Sequence, residues 1–161
     1  MAVKAPVVAD KYTLLRRLGA GGMAEVFLAK QTSSIDGGAQ QDFEKLVVIK
    51  RILPHLATGP SNSDFVRMFL DEGRLASDLR HPNIVSIIDV GKTSDTYFIV
   101  MEFLHGQDVR KVQRKNAAWG ELVPIGHACR MAIDAATGLH YAHHKADLSG
   151  RTDVAGLYAI G

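Results

Sequence analysis

Cysteine is nearly absent: Cys129 stands alone in 161 residues, so no internal disulfide can form, which fits a reducing compartment. An excess of charge of one sign is also lacking. Nineteen lysines and arginines against 17 acidic residues leave a formal net charge of +2, too even a balance to indicate a nucleic-acid-binding surface. Long apolar runs are missing as well. The most apolar stretch, residues 97–104, is short and contains Glu102, so no membrane-spanning segment is expected. Residues 1–10 hold one lysine and two short apolar stretches, too little for a signal peptide. These absences point to a soluble, cytoplasmic chain. With 47% hydrophobic residues there is material for one domain with a real core, or for part of a larger one.

Short extended segments are expected at 12–18 and 25–30, separated by Gly19-Ala20-Gly21-Gly22-Met23-Ala24. A polar loop follows at 31–44. Residues 46–53 form a β-branched, nearly continuous apolar strand broken only by Lys50 and Arg51, and Pro54 with the 58–63 cluster closes it. A helix is expected over 64–80, with Ser61, Asn62 and Ser63 as candidate caps. His81-Pro82-Asn83 ends it, because a proline disfavours helix in the residue before it. Strands at 84–90 and 96–103, a short helix at 108–115 and a longer one at 124–144 complete the order. Strands, one helix, strands and then helices describe an α+β fold, an antiparallel sheet with a helix packed on it leading into a helical region.

Glycines let a backbone approach phosphate closely. The spacing Gly19-x-Gly21-x-x-Ala24 fits both a dinucleotide-binding turn, which a helix must follow, and a kinase loop, which joins two antiparallel strands and places a valine two residues after the third position. A structural hairpin would explain the glycines equally well. The strand character of 25–30, Val26 in the valine position, and a lysine rather than an acid in the next strand favour the kinase design.

Lys50 interrupts that apolar strand, a place that also suits the outer face of a half-solvated sheet. On the helix 64–80, Phe65, Met68, Glu72, Leu75, Ala76 and Leu79 fall on one face, so Glu72 is expected within an apolar stripe. A carboxylate buried there without a partner would cost several kcal/mol or take up a proton. Lys50 is the best-placed basic candidate, unless Glu72 lies near the rim and reaches water. A lysine held by a glutamate beside a glycine loop is a device for orienting phosphates.

These residues together resemble a family. Residues 18–26, Val47-Val48-Ile49-Lys50, Glu72 with His81-Pro82-Asn83-Ile84-Val85, and 98–102 look like the N-terminal lobe of eukaryotic-like (Hanks-type) serine/threonine protein kinases of bacteria, in the right order and spacing from Tyr12 to His144. The resemblance implies a kinase-like lobe of five antiparallel strands and one helix of the αC type, followed by the first helices of a second lobe. It divides the chain into an N-terminal extension (1–11), N-lobe and hinge (12–104), incomplete C-lobe helices (105–150) and an atypical tail (151–161). By the same resemblance Leu18, Gly19, Ala20, Gly21, Gly22, Val26 and Val48 would cover ATP, and Lys50 would bind its phosphates and pair with Glu72. Met101 would be the gatekeeper, Glu102, Phe103 and Leu104 the adenine-binding hinge, and Asp108 a ribose-binding polar residue. Ala24, in place of a third glycine, puts loop flexibility in question.

The His-Arg-Asp and Asp-Phe-Gly triplets, which in this family supply the catalytic aspartate and the Mg²⁺ ligands, occur nowhere in the 161 residues. Arg151-Thr152-Asp153-Val154 is the nearest surrogate, with Ala155 and Tyr158 where a lysine and an asparagine belong. The expectation is therefore an ATP-binding portion of a serine/threonine kinase, its full-length relatives moving the γ-phosphoryl group of ATP·Mg²⁺ to protein hydroxyls, with no catalytic residue of its own beyond the Lys50–Glu72 pair and no metal site. The alternative is a pseudokinase-like module that binds nucleotide or a partner; a dinucleotide-binding oxidoreductase is more distant. His140, His143 and His144 share helical spacing without an acid or cysteine to complete a ligand set. Cys129 is expected as a small core residue on the stripe of Ile125, Ala128, Ala132, Ile133, Ala136 and Leu139, and the apolar faces of that helix are expected to lie open without the rest of a second lobe.

Overall fold

The computed structural model describes residues 7–8, 11–33, 43–57 and 63–148. The Arg151–Val154 surrogate, the Ser61 and Asn62 caps and most of the 31–44 loop lie outside them. The strands are β1 (Val7–Val8), β2 (Tyr12–Ala20), β3 (Ala24–Ser33), β4 (Phe43–Ile52), β5 (Ile87–Lys92) and β6 (Tyr97–Glu102). The helices are α1 (Pro54–Ala57), α2 (Ser63–Ser77), α3 (Val109–Ala118) and α4 (Ile125–Leu148). All strand pairs are antiparallel, in the order β1-β2-β3-β4-β6-β5. The five expected strands are thus present, and β1 adds a short edge that the sequence reading did not anticipate. The chain divides into two compact units, one holding residues 1–77 and 87–103, the other 78–86 and 104–161.

The first unit has a core on each face of its sheet. Directly opposed residues of antiparallel strands share a face, so Phe27, Ile49 and Val100 stand on one side, with Ala29 and Val47 beside them. There the sheet curls: Tyr12 of β2 meets Phe98 of β6 edge-on at 6.2 Å, and its hydroxyl donates to Asp89 Oδ2 of β5 at 3.0 Å. Val47, Ile49 and Val100 are fully shielded inside that curl. Burying each such side chain stabilises the fold by roughly 1.5–3 kcal/mol. On the other side Ala24, Ile52 and Ile99 pack against Phe69 of α2. A strand buried on both faces reads as a continuous apolar run, which is why 46–53 shows no alternation.

Two packing expectations need correction. The buried face of α2 centres on Phe69 and Gly73, flanked by Val66 and Leu70, whereas Phe65 and Met68 are exposed. Glu72 therefore lies at the margin of the packed face, not in its middle. Cys129 is exposed rather than in a core, as are Ile125 and Ile133 of α4, whose described surroundings supply no second apolar layer.

In the second unit Leu79, Ile84 and Ala142 form a small core with Tyr141. Ile84 belongs there, which is why β5 starts only at Ile87 and not at 84. His81 stacks on Tyr141 at 5.2 Å, and Lys145 Nζ donates to the Asp78 carbonyl at 2.8 Å. Helix α3 runs past its expected end at 115 because its stop signal is Gly120. With φ +73°, Gly120 takes the left-handed conformation while its N–H donates to Ala117 O and that of Glu121 to Asn116 O.

Candidate ATP-binding site

The glycine segment closes the β2–β3 hairpin. Gly19 pairs with Val26 and Ala20 with Glu25, and the Gly21 N–H donates to Ala24 O at 2.8 Å. Leu18 sits at a register shift between Arg17 and Gly19, a bulge of the kind that re-aims a strand beside a functional site. Among the described glycines only Gly120 has a positive φ, so Gly19, Gly21 and Gly22 adopt conformations open to any residue. A Cβ at Gly19 or Gly22 would meet no described atom within 4 Å. Neither backbone strain nor internal packing calls for those glycines.

One face of the sheet then carries the predicted residues in rows. Val26, Lys50 and Ile99 are directly opposed across β3, β4 and β6, and Leu28, Val48 and Met101 form the adjacent row. Helix α2 brings Glu72 Oε1 to 2.6 Å from Lys50 Nζ, the two side chains 23% and 35% exposed. At that exposure the pair is partly screened and contributes on the order of 1 kcal/mol to stability. Its value is geometric, since it fixes the ammonium group over the sheet. Phe69, one turn before Glu72, adds to this: Lys50 Nζ stands 5.9 Å from its ring centre, within cation–π reach. Sequence reading missed Phe69, although its i−3 spacing from Glu72 signals a shared helix face.

Ala24 also finds its reason. Its methyl is buried with Ile52, Phe69 and Ile99, and the neighbouring Met23 carbonyl accepts from Leu53 N–H at 3.0 Å. The hairpin is thereby anchored to β4 and α2. On the opposite face Glu25 bridges Arg17 (3.2 Å) and Arg51 (3.1 Å) across three strands. The Arg51 hydrogen bond, helped by that of Arg17, holds the Glu25 carboxyl below its usual range against the opposing effect of burial.

Glu102 and Phe103 end the first unit; Leu104 and Asp108 belong to the second. Asp108 is engaged as the N-cap of α3, accepting from the Lys111 backbone N–H at 2.9 Å. That hydrogen bond, with the Lys111 ammonium behind it, lowers the pKa of its carboxyl. His140 and His144 lie exposed with rings stacked 6.4 Å apart.

A curled antiparallel sheet, a glycine hairpin, and a strand lysine met by a glutamate from a helix packed on the sheet define the small lobe of the protein kinase fold. The family described as protein tyrosine and serine/threonine kinase matches residues 12–148, and the chain belongs to it. Tyrosine-protein kinase MasK of Myxococcus xanthus is 47% identical over 140 residues, covering 87% of this chain and 20% of that protein. Serine/threonine-protein kinase PrkC of Bacillus subtilis is 36% identical over 104 residues, covering 65% and 14%. The crystal structure of the Mycobacterium tuberculosis PknI kinase domain superposes with a TM-score of 0.64 at 25% identity, over 90% of this chain and 52% of that one. The chain thus spans a fifth or less of these curated relatives and about half of the solved kinase domain, corresponding to an N-lobe and the start of a C-lobe.

Proposed function

We propose that this chain is the ATP-holding portion of a bacterial, cytoplasmic protein kinase, and that the 161 residues alone bind nucleotide without transferring its phosphoryl group. The observation that carries the reading is the Lys50–Glu72 contact at 2.6 Å on the sheet face that runs up to the glycine hairpin. The bare backbone at Gly19 and Gly22, which nothing described in the chain requires, suits a ligand that must come close. Lys50 would hold the α- and β-phosphates, with Gly19, Ala20, Gly21 and Gly22 above them. Leu18, Val26, Val48 and Met101 would line the adenine, and Glu102, Phe103 and Leu104 would meet its edge. Asp108 would have to share its carboxylate between the ribose and the α3 cap.

Bound ATP·Mg²⁺ supplies the phosphoryl donor; the chain's own residues orient it. No His-Arg-Asp or Asp-Phe-Gly triplet is present in the sequence to accept a hydroxyl proton or ligate Mg²⁺, so a nucleotide- or partner-binding module without catalysis is the corresponding reading of these residues by themselves. For the whole protein, transfer to serine or threonine is the reading that the sequence resemblance and PrkC favour, and MasK makes tyrosine the alternative acceptor. Calorimetric titration with ATP·Mg²⁺ tests the site. Saturable binding is expected, and Lys50→Ala is expected to weaken it about tenfold or more, the loss of a charge-assisted contact. Equal affinities in the two proteins would sink the assignment of Lys50. Mixing ATP with protein substrates carrying only serine, threonine or tyrosine tests the rest, since phosphate transfer by the 161 residues would refute the non-catalytic part.

A further inference from the structure

Gly73 follows Glu72 directly and is buried where α2 meets the sheet. A Cβ there would stand 3.0 Å from Ile99 Cδ1, 3.2 Å from Ile99 Cγ1 and 3.3 Å from Val90 Cγ2. Carbon atoms pack best at about 3.5–4.0 Å, so an added methyl needs room that is not there. Ile99 cannot easily give way, being 1% exposed and enclosed by Ala24, Ile52 and Phe69. It is also the residue directly opposite Lys50 in the β4–β6 pair. A tight helix-to-sheet approach therefore lies beside the lysine that Glu72 must reach.

We propose that Gly73 is a positioning residue for the Lys50–Glu72 pair: its missing side chain lets α2 lie close enough to the sheet for the carboxylate to close on the ammonium. A glycine inside a helix is destabilising relative to alanine. Its presence at this one contact is accounted for if close approach matters more than helix propensity. The effect on nucleotide affinity rests on the reading of Lys50 given above, whereas the effect on the ion pair does not.

The experiment separates the two. Without nucleotide, the rate of reductive methylation of Lys50 in the full chain is read by peptide mass spectrometry; with Mg²⁺, ATP affinity is read by calorimetry. Glu72→Gln and Gly73→Ala are each expected to speed Lys50 labelling and to weaken ATP binding about three- to tenfold, the scale of a lost ion pair. The double variant is expected to be no worse than Glu72→Gln alone. Ile99→Val, which deletes the nearest of the three atoms, Cδ1, and leaves Ile99 Cγ1 and Val90 Cγ2 in place, is expected to return Gly73→Ala part of the way towards wild-type behaviour. If Gly73→Ala folds only together with Ile99→Val and then labels at the wild-type rate, the inference is equally supported. If it stays unfolded with that change and with Val90→Ala added, the clash lies elsewhere and the inference falls. A Gly73→Ala chain with an altered melting temperature but unchanged Lys50 labelling would make Gly73 merely structural. Faster labelling in both single variants of a chain that never binds ATP would overturn the nucleotide reading and leave the spacing role intact.

Discussion

Gly91→Ala is expected to destabilise the first unit by about 3 kcal/mol, near the top of the range for overpacking a core. Gly91 of β5 lies directly opposite Phe98 of β6, and the Phe98 ring covers it. A Cβ at that position would fall 2.9 Å from Cε1 and 3.0 Å from Cε2, and closer still to Cζ. The ring has nowhere to turn, because it is 2% exposed and packs edge-on against Tyr12. Against a total stability of the usual 5–15 kcal/mol, thermal melting should move down by roughly 10 °C. The mechanism is checked by a double-mutant cycle. Phe98→Leu removes the ring atoms in question, so Gly91→Ala should cost much less in that background. Additive losses would show that the ring is not what the methyl strikes.

The sheet and the candidate site were legible in the sequence to different depths. Local chemistry was clear: the glycine spacing, Val26 two residues after the third position, and Lys50 directly after the apolar run Leu46–Ile49 gave the hairpin and the row that β3, β4 and β6 form. The Lys50–Glu72 contact was also foreseen, but from a premise only half right. Phe65 and Met68 had put Glu72 at the centre of an apolar stripe, whereas the packed face runs through Phe69 and Gly73, and Glu72 sits at its edge. A helical wheel counts apolar side chains and cannot see that a glycine is buried on the packed face. The same blindness placed Cys129 in a core, since a stripe on α4 does not say whether a second layer covers it. Long-range closure was the other hidden quantity. Nothing local in Tyr12 or Asp89 announces that a curled sheet brings them together, or that Val7 and Val8 add a further edge. The short helix α1, which begins at Pro54, likewise carries no periodic signal in four residues.

That closure makes a second large effect measurable. The Tyr12 hydroxyl is pushed up from 10.0 to about 12, first by burial, then by its hydrogen bond to Asp89 and by the charge of that carboxylate. The folded state therefore keeps the phenol protonated at a pH where the unfolded chain releases it. The contribution is fully present below pH 10, where both states hold the proton, and is lost as pH rises from about 10 to about 12, because the unfolded state gains from ionising first. One pH unit inside that window corresponds to about 1.4 kcal/mol, so up to roughly 2–3 kcal/mol is lost across it. Tyr12→Phe should cost about 1 kcal/mol near neutral pH, the net value of the hydrogen bond that Asp89 loses. Above pH 10 that variant has no phenol to ionise, so the deficit relative to wild type should shrink and then reverse near pH 11. Urea unfolding of both proteins, in steps from pH 8 to 12, reads the crossing directly; a gap that stays constant across that range would mean the phenol is not held protonated by the curl of the sheet.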